Sequence, residues 1–308
     1  MKIFVTLGVG FALLVGAAKG PTTTLPRPTC PKGAQAGRFG PAMSPGDSGK
    51  VYSSVLSADG KEFYFFKLVG PGHEDYRIFR STWNSGSGRW NSAELLDLGG
   101  DYSDLYPAPS PDGKRLVFSS YRPAPDDTNT HANAHLWYVV RTGHDWAEPR
   151  FIRASTYGYY HSALHSDADG SVRYDLTTPD WRKTEQFRIR WIDTAYSAPE
   201  PLPPNPAAEY WRQHLGDSLY VWGAIAGPGE ISLVQISRVA ANRHRSPSVY
   251  FLSRQQGNEW SDLVPAGGGL GEGSPNFIWF SRDSCYIHYT NDYTNFRRVP
   301  LADVLAGR

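Results

Sequence analysis

The chain has 308 residues, a formal net charge of +1 and only 20% charged residues. That balance gives no electrostatic reason to expect a nucleic acid or an anionic membrane as partner. Glycine (31), proline (24), tyrosine (18) and tryptophan (10) are abundant. Turn formers combined with strand-favouring aromatics point to an all-β chain, long enough for one large domain.

At the N-terminus, Lys2, an apolar run over 3–15 and then Gly16-Ala17-Ala18 read as a secretory signal peptide occupying residues 1–20. The run is too short to span a bilayer comfortably, and no later stretch is long and apolar enough to do so. The expectation is a periplasmic or secreted protein, with no stable membrane insertion after cleavage. Residues 21–36 form a linker. "PRPT" before Cys30 is not the small, apolar sequence that a lipid-modified cysteine needs.

From residue 37 onward a repeat takes over. Residues 56–66 read "LSADGKEFYFF", 110–123 "SPDGKRLVFSSYRP" and 165–175 "HSDADGSVRYD", with a degenerate copy, "FSRDSCYIHYT", at 280–290. Each places a tight turn between two strands, and glycine after the aspartate tolerates the positive φ such a turn demands. The turn aspartates fall at 59, 112, 169 and 283, so the gaps are 53, 57 and twice 57. The missing member is Pro228-Gly229 in "AIAGPGEISLVQIS". Between the turns an aromatic recurs after another turn: Trp90, Trp146, Tyr196 and Trp260. Their regular recurrence suits packing between neighbouring repeats. Each unit thus reads as four antiparallel strands, the pattern of a propeller blade.

The last unit lacks its aromatic fourth strand, while "GRFGPAM" at 37–43 has no unit of its own and matches "GRWNSAE". The N-terminal strand therefore completes the last blade. The reading is a single β-propeller domain over 37–308, with five blades, or six if the stretch 197–217 holds another. No long helix is expected after residue 20. With "SPDGKRLVFSSYRP", "LWYV" and "WAEP", residues 37–308 resemble the TolB-type, WD-like β-propeller repeats. The resemblance implies the architecture and export, since members are commonly exported bacterial proteins. It implies little about activity, because propellers host both enzymes and binding modules.

The turn aspartates read as residues that bond their own backbone rather than as calcium ligands. No phosphate loop, nucleophile elbow or HExxH motif is present, and no cofactor is expected. "YYHSALHSD" places His161 and His165 four apart on the inner strand of the third blade, which puts both on one face of a regular strand. His161 aligns with Asp104 in the second blade. These residues, with Arg122, His214 and Trp211, are the candidate ligand contacts at the mouth of the channel. A metal site needs at least three converging ligands, and the histidines supply a pair. Glycoside hydrolysis needs two carboxylates across a cleft, and nothing in the sequence pairs Asp104, Glu209 and Glu272. The leading expectation is a monomeric, non-enzymatic binding module for a protein, peptide or carbohydrate. The alternative is a propeller glycoside hydrolase or metal-assisted polysaccharide lyase. Two cysteines in an exported chain, Cys30 and Cys285, allow one disulfide.

Overall fold

A computed structural model describes residues 5–7, 11–13, 30, 35–41, 50–70, 75–125, 134–152, 160–177, 184–216, 219–227, 230–238, 248–267, 270, 275–281, 283–291, 293 and 295–306. Most of the expected signal peptide and linker, and Pro228-Gly229, lie outside them. Within the first twenty residues, Val5–Leu7 pairs antiparallel with Phe11–Leu13. Among the described residues no helix is long and apolar enough to cross a membrane.

The fold is all-β, with the five antiparallel sheets of a five-bladed β-propeller. The chain divides into two compact units, one of Phe39–Pro204 with Tyr293–Phe296 and one of Met1–Arg38, Asn205–Asp292 and Arg297–Arg308. The first unit holds three blades. Their innermost strands are Val51–Leu56, Asp104–Pro109 and Tyr160–Ser166, followed by second strands Glu62–Val69, Arg115–Ser120 and Val172–Thr177. Third strands are Asp75–Asn84, His135–Thr142 and Thr184–Ile189. Short segments around Trp90, Trp146 and Tyr196 complete the outer edge.

The turns are built as their sequence requires. Ser57 Oγ donates to Asp59 at 2.6 Å, and the same carboxylate oxygen accepts the Lys61 amide at 3.1 Å. Ser110, Asp112 and Lys114 repeat the arrangement at 2.6 and 3.1 Å, and Ser281, Asp283 and Cys285 at 2.6 and 3.0 Å. In the third blade Ser171 donates both bonds to Asp169, at 2.6 and 2.9 Å. One carboxylate oxygen of each aspartate is taken by its own turn. Gly60, Gly113 and Gly170 take φ of 70°, 67° and 83°, and Ser284 takes 57° in the degenerate copy.

The second strand of the second blade is apolar on both faces because that blade lies between the first and the third. With period-two alternation, Leu116 and Phe118 join Tyr64 and Phe66 of the first blade, while Val117 turns the other way to Val172 and Tyr174 of the third. Trp146 packs on the cluster holding Tyr64 and Phe66, and Tyr196 on Tyr138, so two of the recurring aromatics sit between blades.

One feature recurs on every innermost strand. Pairing with the second strand slips by one residue at Ser53, Tyr106, Ala163, Trp222 and Phe277. Each lies six residues before positions 59, 112, 169, 228 and 283 respectively. Tyr106, Ala163 and Phe277 hold φ of 50°, 52° and 53°, a conformation that costs a non-glycine residue about 1–3 kcal/mol. These are β-bulges, which redirect side chains.

The second unit contains the fourth blade, Leu219–Ala226, Ile231–Arg238, Val249–Gln256 and Glu259–Trp260, and most of the fifth, Pro275–Phe280, Tyr286–Asn291 and Asn295–Pro300, of which Asn295 and Phe296 count with the first unit. The fifth blade ends in the N-terminal strand Gly37–Arg38, paired as Arg297↔Arg38 and Arg298↔Gly37. The stretch that could have held a sixth blade instead holds helix α1, Pro206–His214. Asn205 caps it by accepting from the Ala207 and Ala208 amides at 3.0 and 3.2 Å, with Pro206 at the first helical position. A short helix α2, Leu301–Leu305, closes the fifth blade.

Cys30 and Cys285 are bonded, with Cα atoms 5.3 Å apart and 255 residues between them. A closed loop of that length restricts the unfolded chain strongly. Replacing both cysteines by serine is expected to destabilise the protein by about 5 kcal/mol, read as a lower denaturant midpoint with a steeper slope because the released unfolded chain exposes more surface; an unchanged midpoint would contradict a stabilising bond.

Candidate functional site

In the unit of three blades, the inner strands bring together five half-buried tyrosines from distant parts of the chain: Tyr52, Tyr76, Tyr106, Tyr121 and Tyr293. Tyr52 is the hub. Its ring stacks on Phe66 at 5.3 Å and meets Tyr76 at 5.5 Å and Tyr293 at 5.0 Å. Tyr106, the bulge residue, is re-aimed onto Phe66 at 4.9 Å. Tyr293 also has a positive φ, 56°, and its carbonyl accepts the Val51 amide at 2.8 Å. That bond fixes Tyr293 beside the innermost strand of the first blade.

Burial shapes the chemistry of these phenols. It pushes Tyr52 up to about 12, helped by the neighbouring phenols of Tyr76 and Tyr293. Tyr106 is also raised, by burial first and then by Tyr76, Tyr121 and the Asp175 carboxylate. Tyr52, Tyr106 and Tyr293 are therefore neutral at physiological pH, with hydroxyls able both to donate and to accept.

Beside it lies a buried ion pair. Arg122 Nη2 donates to both oxygens of Asp104 at 3.2 Å, Nε to Ser120 Oγ at 2.9 Å and Nη1 to the Leu98 carbonyl at 3.1 Å. The guanidinium carbon lies 5.3–5.4 Å from the rings of Phe118, Trp137 and Tyr102. Burial pushes the Asp104 carboxyl up, and Arg122 and Ser120 pull it down.

The expected ligand contacts fall in different places. Asp104 and Arg122 do meet, but each satisfies the other inside the blade. His161 and His165 do not share a face. His161 is buried, donating from Nδ1 to the Ala134 carbonyl at 2.9 Å and facing Tyr174 at 5.5 Å. His165 is exposed, 3.9 Å from Asp167. The bulge at Ala163 is the reason: His161 pairs opposite Leu176 but His165 opposite Arg173, so four residues on one strand span three on the other. Trp211 is not an open platform. It is buried on α1, and its indole donates to Ser253 Oγ at 3.1 Å. His214 is exposed at the end of α1, stacked on Tyr210 at 3.9 Å. Glu209 accepts from Gln213 at 2.8 Å on the same helix, and Glu272 lies outside the described residues. Among the described residues no three His, Cys, Asp or Glu side chains converge as a metal-binding group.

The tyrosines escaped sequence reasoning. Their only signal is position: Tyr52 and Tyr106 stand seven and six residues before the turn aspartates, and Tyr121 nine after one.

No family model matches the chain, and no curated protein matches it in sequence. Solved structures match in fold. A provisionally named exo-beta-1,3-galactanase from Bifidobacterium bifidum aligns at 16% identity over 86% of this chain and 92% of its own, with a TM-score of 0.47. A provisionally named TolB from Agrobacterium tumefaciens aligns at 15% identity over 78% and 69%, with a TM-score of 0.40. A prolyl endopeptidase aligns at 15% identity over 82% of this chain, with a TM-score of 0.38, and this chain spans only 34% of its length. None of them carries an activity over to this protein.

Two outcomes are expected. Arg122→Ala strands a buried carboxylate and should cost about 3–5 kcal/mol in chemical denaturation, whereas Asp104→Leu with Arg122→Met should cost clearly less. Folded tyrosines whose pKa exceeds the unfolded value favour the neutral form, so their stabilisation is complete below about pH 10 and lost as pH rises toward 12. Ultraviolet titration should show a fraction of the 18 tyrosines ionising only near pH 12 or with unfolding; uniform ionisation near pH 10 in the folded protein would contradict this.

Proposed function

We propose that the protein is an exported, non-catalytic β-propeller binding module, of TolB-like type, that takes a peptide or glycan segment against the inner-strand tyrosines. The observation that carries the reading is the convergence of Tyr52, Tyr76, Tyr106, Tyr121 and Tyr293, all half-buried, with Tyr52, Tyr106 and Tyr293 held neutral. Tyrosine offers a large rigid ring at low entropic cost, with a polar tip, which suits recognition of mixed polar and apolar ligands. Proton transfer calls instead for a group that titrates near the working pH. Here the phenols are held far above it, and the nearby Asp104 is tied bidentately to Arg122. Export is supported by the apolar segment at 3–15 and by a structural disulfide.

The test uses the chain from residue 21 onward, on a glycan array and a peptide library, with products followed by mass spectrometry. Tyr52→Phe and Tyr106→Phe keep the rings and remove the hydroxyls. Each should weaken ligand binding by up to about tenfold, with thermal stability retained. Turnover of a bound polysaccharide or peptide, or binding indifferent to both substitutions, would overturn the reading.

A further inference from the structure

At the turn ends of the first and second blades, within the unit of three blades, lies a cleft of about 420 Å³, a size typical of small-ligand sites. It is lined by Asp59, Lys61, Glu62, Trp83, Asp112 and Arg141, among others. Trp83 is the only tryptophan exposed to solvent among the described residues. Its place recurs in each blade opposite the recurring aromatic: Arg141 opposite Trp146, Trp191 opposite Tyr196 and Gln255 opposite Trp260. Trp191 is covered by the Arg115 guanidinium, 4.3 Å from the ring centre. Trp83 keeps an open surface, yet it is held rigidly. Trp90 meets it edge-on at 5.4 Å, and its amide donates to the Lys61 carbonyl at 2.7 Å.

The polar groups around it divide into spent and open. Arg141 donates to Glu62 at 2.7 Å, to the Tyr64 hydroxyl at 3.0 Å and to the Gly113 carbonyl at 3.0 Å, but Nη1 makes no hydrogen bond among the described residues. Asp112 is paired with Arg115 at 3.1 Å. Asp59 uses Oδ1 in its turn, which also holds the carboxyl below its ordinary value, and Oδ2 is open. The Lys61 ammonium and the Trp83 indole N–H make no hydrogen bond among the described residues, though Lys61 is close enough to Asp59 to act on its charge. Glu62 lies against Arg141 and, at 3.6 Å, Arg80, Asp112 against Arg115, and Lys61 beside Asp59, so every charge at the cleft has one of opposite sign next to it, and donors and an acceptor remain for a ligand.

We propose that this cleft is a second binding site, for a neutral saccharide. An aromatic face for the apolar side of a sugar ring, ringed by charge-balanced donors and a carboxylate acceptor, matches an uncharged polyol better than an ion. The site is distinct from the inner-strand tyrosines, and either can fail without the other.

The test titrates the chain from residue 21 onward with neutral gluco-, galacto-, manno- and xylo-oligosaccharides of two to four units, by calorimetry. At least one series binds; Trp83→Ala weakens it by about tenfold or more, Trp83→Phe retains part of it, and Asp59→Asn weakens it several-fold. Tyr52→Phe with Tyr106→Phe leaves it unchanged. Circular dichroism and melting temperature establish that each variant is folded. No binding across the panel overturns the proposal. So does binding that survives Trp83→Ala, and if the tyrosine substitutions abolish it, the sugar belongs to the inner-strand site instead.

Discussion

A hydroxyl 2.6 Å from a turn carboxylate is the interaction on which each described turn depends. It closes the turn between the first two strands and fixes where the second strand begins. Because side chains alternate, fixing that register decides which residues of the second strand face each neighbouring blade. Leu116 and Val117 then point to opposite interfaces, and a run that looks too hydrophobic for a surface strand becomes a two-sided core. The aspartates do structural work, and their carboxylates are not available to each other as a catalytic or calcium-binding set.

Six residues before each turn position, the innermost strand departs from regular pairing. Three of these bulges tolerate positive φ without glycine, which costs free energy that the surrounding sandwich must offset. The consequence is to redirect inner-strand side chains. Tyr106 is turned onto Phe66 and joins phenols from four other segments, while His161 and His165 are sent to opposite faces. At the fourth-blade bulge Trp222 has no positive φ, and Arg212 of α1 donates to the carbonyls of Val221 and Trp222 at 3.4 and 3.3 Å.

The architecture was legible because it rests on local chemistry that repeats. Asp-Gly turns at even spacing, a recurring aromatic and an orphan strand at 37–43 are all one-dimensional signals, and the pairing of Gly37–Arg38 with the last blade follows from them. The helix at 206–214 carries its own signal, an Asn-Pro start in "PPNPAAEYWRQH", but it is a single short helix set within a repeat of strands. That helix is also why Trp211 is buried rather than open. The site was much less legible. Facing was inferred from a regular alternation, and the bulge at Ala163 breaks it with an alanine, a residue that announces no turn. Asp104 and Arg122, expected as ligand contacts, pair with each other inside the blade. The tyrosines come from positions 52 to 293 and are neighbours only after the blades assemble.

The most direct measurement is the cross-strand register of the third blade, read from nuclear Overhauser contacts in a deuterated, selectively protonated sample. The account predicts His161 opposite Leu176 and His165 opposite Arg173, with Ala163 in the left-handed region. A regular ladder, with His161 opposite Leu176 and His165 opposite Val172, would contradict it: both histidines would then share a face, and the bulge would no longer explain how the inner surface is assigned.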